Sequence, residues 1–220
     1  TTNGNIYQKF TPFYNYCLEQ NVDKPRKNKV KNTKKCKTKF SIDNKKINTF
    51  YKENKNINVN GGRKEALKIL NNIIEHKNYG KTRNILSIET TQLSAYIKFG
   101  CVSIREVFHK FKSILGLKHD LIKQLIWRDF YYHLGYGFIE RFRKSLKEKY
   151  DNIKWKNNRT LFNKWKDGKT GYPIVDACMR QLNETGYMHN RGRLIVASFL
   201  IKNLHISWEW GEKYFAQKLI

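Results

Sequence analysis
The apolar positions of this chain recur at the spacing of helices, most regularly between Thr170 and Ile201, TGYPIVDACMRQLNETGYMHNRGRLIVASFLI. Ile174, Cys178 and Leu182 stand at i, i+4 and i+8, with Val175 and Met179 beside them, which predicts one apolar helix face. Pro173 suits the first turn of that helix, because the N–H it lacks would have no partner there. Gly186 suits its end as a left-handed cap. A second helix is predicted from His189 or Asn190 onward. Between Leu194 and Ile201 only Ser198 interrupts its apolar run, so the pattern predicts burial nearly all round.

The same periodicity marks the rest of the chain. Gly61-Gly62 opens a helix, GGRKEALKILNNIIEH, with Ala66, Leu67, Leu70, Ile73 and Ile74 on one face. Tyr79 to Asn84 reads as a polar loop. A longer helix runs through LIKQLIWRDFYYHLGYGF, and a short one follows Trp155 and ends at Trp165-Lys-Asp-Gly168. Near the start, Phe10, Phe13, Tyr14 and Tyr16 form an aromatic cluster that must dock on something. Residues 21–60 are rich in Lys and Asn and poor in apolar residues, which is linker composition. No repeat is evident. The expectation is an all-α fold, about nine helices in an irregular multi-helix bundle with no sheet, occupying residues 61–220.

Composition changes this picture in one respect. The 220 residues carry a formal net charge of +26, with a pI near 9.9, which favours a polyanionic partner such as nucleic acid. Lys, Asn and Ile are abundant together, however, as an AT-rich coding sequence would give, so part of the lysine excess need carry no function. Cys17, Cys36, Cys101 and Cys178 are scattered, without the C-x-x-C spacing of zinc or redox sites, and read as free thiols in a reducing compartment. No apolar stretch is long enough for a membrane span and the first residues are polar, unlike a signal peptide, so the expectation is an intracellular protein, nuclear or cytoplasmic, with no metal and no membrane partner.

Three constellations suggest chemistry. His189, Asn190, Arg191 and Arg193 crowd a helix entrance, where the helix dipole disfavours cations. An anion between the arginines and the free N–H groups would explain them; acidic partners elsewhere would do so equally. Arg191 and Arg193 lie about 200° apart around the helix and so serve two different partners. Thr90, Thr91 and Ser94 put three hydroxyls near another helix start, fit to hold a phosphate or simply to cap the helix. Gln124, Trp127, Arg128 and Tyr131 lie at i, i+3, i+4 and i+7, a stripe of amide, indole, guanidinium and phenol. Such a stripe suits a pocket that stacks a planar base and bonds its edge, or an interhelix seam whose polar groups are satisfied.

Several of these stretches resemble one family. TGYPIVDACMRQLNETGYMHNRGRLIVASFLIKNLHISWEWGEKYF is similar to the core of the FAD-binding domain of the DNA photolyase and cryptochrome family. Its MHNR turn is nearer the bacterial-type, class I cyclobutane pyrimidine dimer photolyases than animal cryptochromes or 6-4 photolyases. TTQLSAYIKFGCVSIREVF resembles the family's TSxLSPYLKFGxxS signature, and LIWRDFYYHL its LIWREFYxxL segment. The resemblance implies FAD as cofactor and DNA containing pyrimidine dimers as substrate, in the light-driven reaction of a deoxyribodipyrimidine photo-lyase. A cryptochrome-like photoreceptor, or an inactive DNA-binding fragment, is the alternative.

Residue by residue, it implies that Tyr79, Thr90, Thr91, Gln92, Leu93, Ser94 and Arg193 bind FAD. Arg83, Gln124, Trp127, Arg128, Tyr131, Asn190 and Arg191 face DNA or its lesion, and Asn190 also serves catalysis. Trp155 and Trp208 match two members of the tryptophan chain that carries electrons to the flavin. Gln124 departs from the Glu usual in dimer photolyases, and Tyr187 and Leu194 replace a Trp and a Met. The family's antenna domain would precede residues 1–20, making them an interdomain segment, and its isoalloxazine contacts would follow Ile220. A separate chain supplying both parts is the partner this implies.

Overall fold
A computed structural model of the chain describes residues 4–26, 44–47, 49–50, 53–142 and 144–220. These residues form α-helices and short 3-10 turns, with no strand among them, so the expected all-α bundle is what the chain builds. The helices are α1 (Phe10–Glu19), α2 (Asn44–Ile47), α3 (Arg63–Asn71), α4 (Tyr79–Thr82), α5 (Leu93–Lys98), α6 (Ile104–Leu115), α7 (Asp120–Gly137), α8 (Arg159–Lys166), α9 (Pro173–Thr185), α10 (Asn190–Lys202) and α11 (Trp208–Lys218). Cys36 and half of the lysine-rich stretch lie outside the described residues. The end of that stretch is anchored: Asn54 and Asn58 bond to the carbonyls of Glu184 and Thr185, and the Tyr96 hydroxyl donates to Asn60 O at 2.7 Å.

Two hydrophobic cores organise the bundle. The first gathers Phe13, Leu70, Ile73, Tyr96, Phe111, Ile122, Ile126 and Phe130 from α1, α3, α5, α6 and α7 and the turn after α3. The second gathers Trp165, Val175, Met179, Leu182, Met188, Val196, Leu200 and Ile206 from α8, α9, α10 and their loops. Trp165 is wholly enclosed there, and its indole N–H donates to Val196 O at 3.0 Å, so its one polar atom is not left stranded.

Local chemistry sets the α9–α10 corner. Pro173 opens α9, and the buried Asp176 carboxylate accepts from the Thr170 N–H (2.7 Å) and hydroxyl (2.6 Å) and from the Gly171 N–H (2.9 Å). Burial alone would raise the Asp176 pKa; these hydrogen bonds and nearby Arg180 outweigh it and hold it below the ordinary carboxylate value. Gly186 ends α9 at φ 69°, the left-handed region a side chain resists. On α10, a Cβ added to Gly192 would lie 2.8 Å from the Cys178 sulfur, so this glycine permits the close packing of α9 on α10.

Some expectations are corrected. Ile174 is 46% exposed, at the edge of the α9 face, whose centre is Val175, Cys178, Met179 and Leu182. Leu194 is 52% exposed: α10 packs chiefly on α9 and α11 and keeps an outward side, so it is not buried all round. The α3 helix stops at Asn71, and a 3-10 turn buries Ile73 while turning Ile74 outward. Tyr79 to Thr82, read as loop, is the short helix α4.

Candidate functional site
Between the two cores lies a cavity of about 990 Å³, at the upper end of what small-molecule and cofactor sites enclose. One wall comes from Tyr79, the Thr90–Ser94 segment before and into α5, and the α7 side chains Leu121, Gln124, Leu125 and Arg128. The facing wall comes from Asn190, Arg193 and Ala197 of α10 and from Trp208 and Phe215 of α11. All seven residues expected at a cofactor therefore line one space: Tyr79, Thr90, Thr91, Gln92, Leu93, Ser94 and Arg193.

The Thr90–Ser94 wall is shaped for close approach. Gln92 stands at φ 51°, a left-handed turn that redirects the backbone just before α5. The Thr91 hydroxyl accepts from the Leu93 N–H at 3.4 Å, and Thr90 shares a hydrogen bond with the Tyr187 hydroxyl at 3.2 Å. Tyr187 thus ties this wall to the α9–α10 corner, and burial raises the pKa of Tyr79 beside it.

The entrance of α10 separates its two arginines as their spacing demands. His189 caps the helix, its Nδ1 accepting from the Arg191 N–H at 3.1 Å. Burial first, then Arg191 and Arg193, lower its pKa, so the ring is neutral and carries its proton on Nε2, a buried atom with no partner among the described residues. Arg191 turns outward and donates to Asn84 Oδ1 at 2.5 Å, beside Arg83. Arg193 turns inward: its Nε donates to Met188 O at 2.9 Å and its guanidinium lies 5.7 Å from the Tyr187 ring centre. No carboxylate among the described residues pairs with Arg193. Burial lowers its pKa, Tyr187 opposing, and a half-buried cation without a counter-ion is an unfavourable element unless an anion comes to it.

The α7 stripe divides. Gln124 and Arg128 line the cavity, while Trp127 and Tyr131 stand to one side. Trp127 stacks on Phe10 of α1, ring centres 3.5 Å apart and planes 2° apart, and Tyr131 is 65% exposed beside it at 5.8 Å. Arg128 pairs with Asp129 at 2.9 Å and lies over Tyr132, 4.5 Å from its ring centre. Arg83, Arg191 and Trp155 are also outside the cavity. The segment of Trp155 is nonetheless fastened to the start of α11: Lys156 N–H donates to His205 O at 2.9 Å, and Ser207 N–H to Asn157 Oδ1 at 2.8 Å, next to Trp208. Sequence reasoning missed Tyr132, Trp165, Glu212 and Phe215 as lining residues. Periodicity marks these as helix positions, and nothing in it says that two cores leave a gap between them.

Known proteins resemble this chain in sequence and fold. Residues 121–220 match the family model described as the FAD binding domain of DNA photolyase. The deoxyribodipyrimidine photo-lyase of Buchnera aphidicola is 44% identical over 184 residues, 76% of this chain and 38% of that protein. An archaeal photolyase from Sulfolobus tokodaii, solved with two FAD molecules, superposes with a TM-score of 0.84 at 36% identity over 100% of this chain and 49% of its own. A cryptochrome from Synechocystis sp. gives a TM-score of 0.71 at 34% identity, covering 78% of this chain and 39% of that one. The chain spans less than half the length of each of these relatives.

Proposed function
The chain belongs to the DNA photolyase and cryptochrome family, and from that premise we propose that the cavity is the flavin site of a deoxyribodipyrimidine photo-lyase acting on cyclobutane pyrimidine dimers in DNA. The observation that supports this most is the inward Arg193, without a counter-ion among the described residues, facing the same space as Thr90, Thr91 and Ser94. A cation and three hydroxyls around one cavity fit a diphosphate, and the apolar remainder, with Trp208 and Phe215, fits a planar ring system. The residues present therefore fit FAD. When bound and fully reduced, FAD supplies a light-excited electron that opens the dimer's cyclobutane ring and is then returned.

The chain's own residues bind, orient and exclude water. The Thr90–Ser94 segment and Arg193 hold the diphosphate, and Tyr79 closes one side. Asn190, at the first turn of α10 on the cavity wall, orients the polar edge of what enters. Gln124 and Arg128 bond the edge of an extruded base, and Trp127 with Tyr131 offers it a stacking surface. Arg83 and Arg191, outside the cavity, with Arg191 bonded to Asn84 next to Arg83 in sequence, meet DNA phosphates. Trp155 and Trp208, on segments fastened together, carry electrons inward. On this reading residues 61–220 are the catalytic part, 1–20 the junction with an antenna domain and 21–60 a linker, and the protein acts inside the cell. A chain carrying the relatives' other segments, whether continuous with this one or separate, completes the site on this reading. Adding such a chain raises FAD affinity on this reading and leaves it unchanged otherwise.

A dimer-containing oligonucleotide illuminated with the chain, FAD and a thiol reductant tests the repair reading. Light-dependent return of intact pyrimidines is the expected result; flavin binding without any repair contradicts it. Gln124 on the cavity wall, where the resemblance expects Glu, supports the second reading, a photoreceptor that binds flavin and repairs nothing.

A further inference from the structure
The tightest aromatic contact among the described residues lies outside the cavity, where Phe10 of α1 covers one face of Trp127 at 3.5 Å and 2°. Trp127 is only half-buried, and the other ring inclined to it, Tyr131 at 5.8 Å and 26°, is itself exposed. Phe10 is itself held on two sides, stacked on Tyr14 (5.6 Å, 28°) and edge-on to Phe130 (5.7 Å, 79°). It is also not the only residue that docks α1 on α7. Phe13, buried one turn later against Phe130 and His133, and the Tyr7 N–H, which donates to His133 Nε2 at 2.9 Å, hold the two together independently of it. Phe10 has no polar atom, and what it adds is a fixed plane for the ring beside it.

We propose that Phe10 is a positioning residue for lesion recognition, setting the tilt of the Trp127 indole so that its open part meets an extruded base at stacking distance. The proposal rests on the reading of Trp127 as a base-stacking residue. Without Phe10 the indole gains freedom that must be given up each time a base stacks on it. Intact DNA, whose bases stay in the duplex, does not draw on this platform, so only the preference for damaged DNA suffers.

The test compares Phe10→Leu, Phe10→Tyr and Trp127→Ala in the full chain, by affinity for duplexes with and without a cyclobutane thymine dimer. Phe10→Leu is expected to lower the preference for damaged DNA roughly two- to tenfold, the range of one aromatic pair, with affinity for intact DNA unchanged. Phe10→Tyr, which keeps the ring, is expected to retain the preference. Should Phe10→Leu fail to fold, as thermal unfolding would reveal, Phe10→Met makes the same comparison with an unbranched side chain. A leucine or methionine variant with the parent preference, or with both affinities lowered equally, overturns the proposal while Trp127 keeps its role. An unchanged preference in Trp127→Ala overturns the underlying reading, and the proposal with it.

Discussion

Arg193 and Arg191 differ by two positions in the sequence and by partner in the fold: one lines the cavity and donates to Met188 O, the other lies outside it and donates to Asn84 Oδ1. Helical geometry required that separation, since residues two apart stand about 200° from each other around the axis. What could not be foreseen is the neutral His189 ahead of them at the N-cap, because its tautomer follows from the Arg191 N–H it caps. Trp165 is a plainer case of a residue whose role only packing reveals. It is fully enclosed in the second core and lies along the cavity, so its loss should remove packing and a hydrogen bond together. Trp165→Ala is expected to cost about 3–5 kcal/mol of unfolding free energy, measured by denaturant titration. A cost below about 1 kcal/mol would mean the site collapses without consequence.

The docking of α1 on α7 gives the fold a pH-sensitive joint. His133 accepts the Tyr7 N–H through Nε2, which it does only while that nitrogen is unprotonated, and burial lowers its pKa from the ordinary 6.5. A histidine whose folded pKa is depressed leaves stability intact above its unfolded pKa and takes it away as pH falls below that value. His189, lowered for the same first reason, adds to the effect. Stability should therefore decline as pH drops below about 6.5, and His133→Gln, which keeps an acceptor and removes the titration, should flatten part of that decline. An identical pH profile for the variant would remove His133 from the account.

Legibility differed by element. The start of α9 at Pro173 and its end at Gly186 follow from backbone chemistry and are plain in the sequence. The exposed Leu194 is not, since an apolar run says a helix dislikes water without saying which neighbours will cover it. Similarly, α4 is too short for periodicity to mark, and the α7 stripe was read as one surface because helical spacing cannot show that Phe10, far off in sequence, claims the Trp127 half.

For the whole molecule, the informative feature is a pair of cores with a cavity between them, walled by residues from both halves of the described chain. Neither core alone is a site. The net charge of +26 acts at the same scale: on the proposed reading it draws DNA to a surface that carries Arg83 and Arg191, outside the cavity. DNA affinity should fall linearly on a log–log plot against salt, with a slope of about −0.9 per phosphate neutralised. Arg191→Ala should flatten that slope by roughly one such unit for every sequence alike. An unchanged slope would take Arg191 off the DNA face.

The central claim is that the cavity between the cores receives FAD through Arg193. Titrating FAD into the chain and following flavin fluorescence tests it directly, since Tyr187, Trp208 and Trp165 line the space and would quench a bound ring. Saturable binding of one flavin per chain is expected, weakened about tenfold or more by Arg193→Gln, as loss of a charged hydrogen bond implies, and untouched by Arg191→Gln. Binding indifferent to Arg193, or no saturable binding at all, would contradict the account.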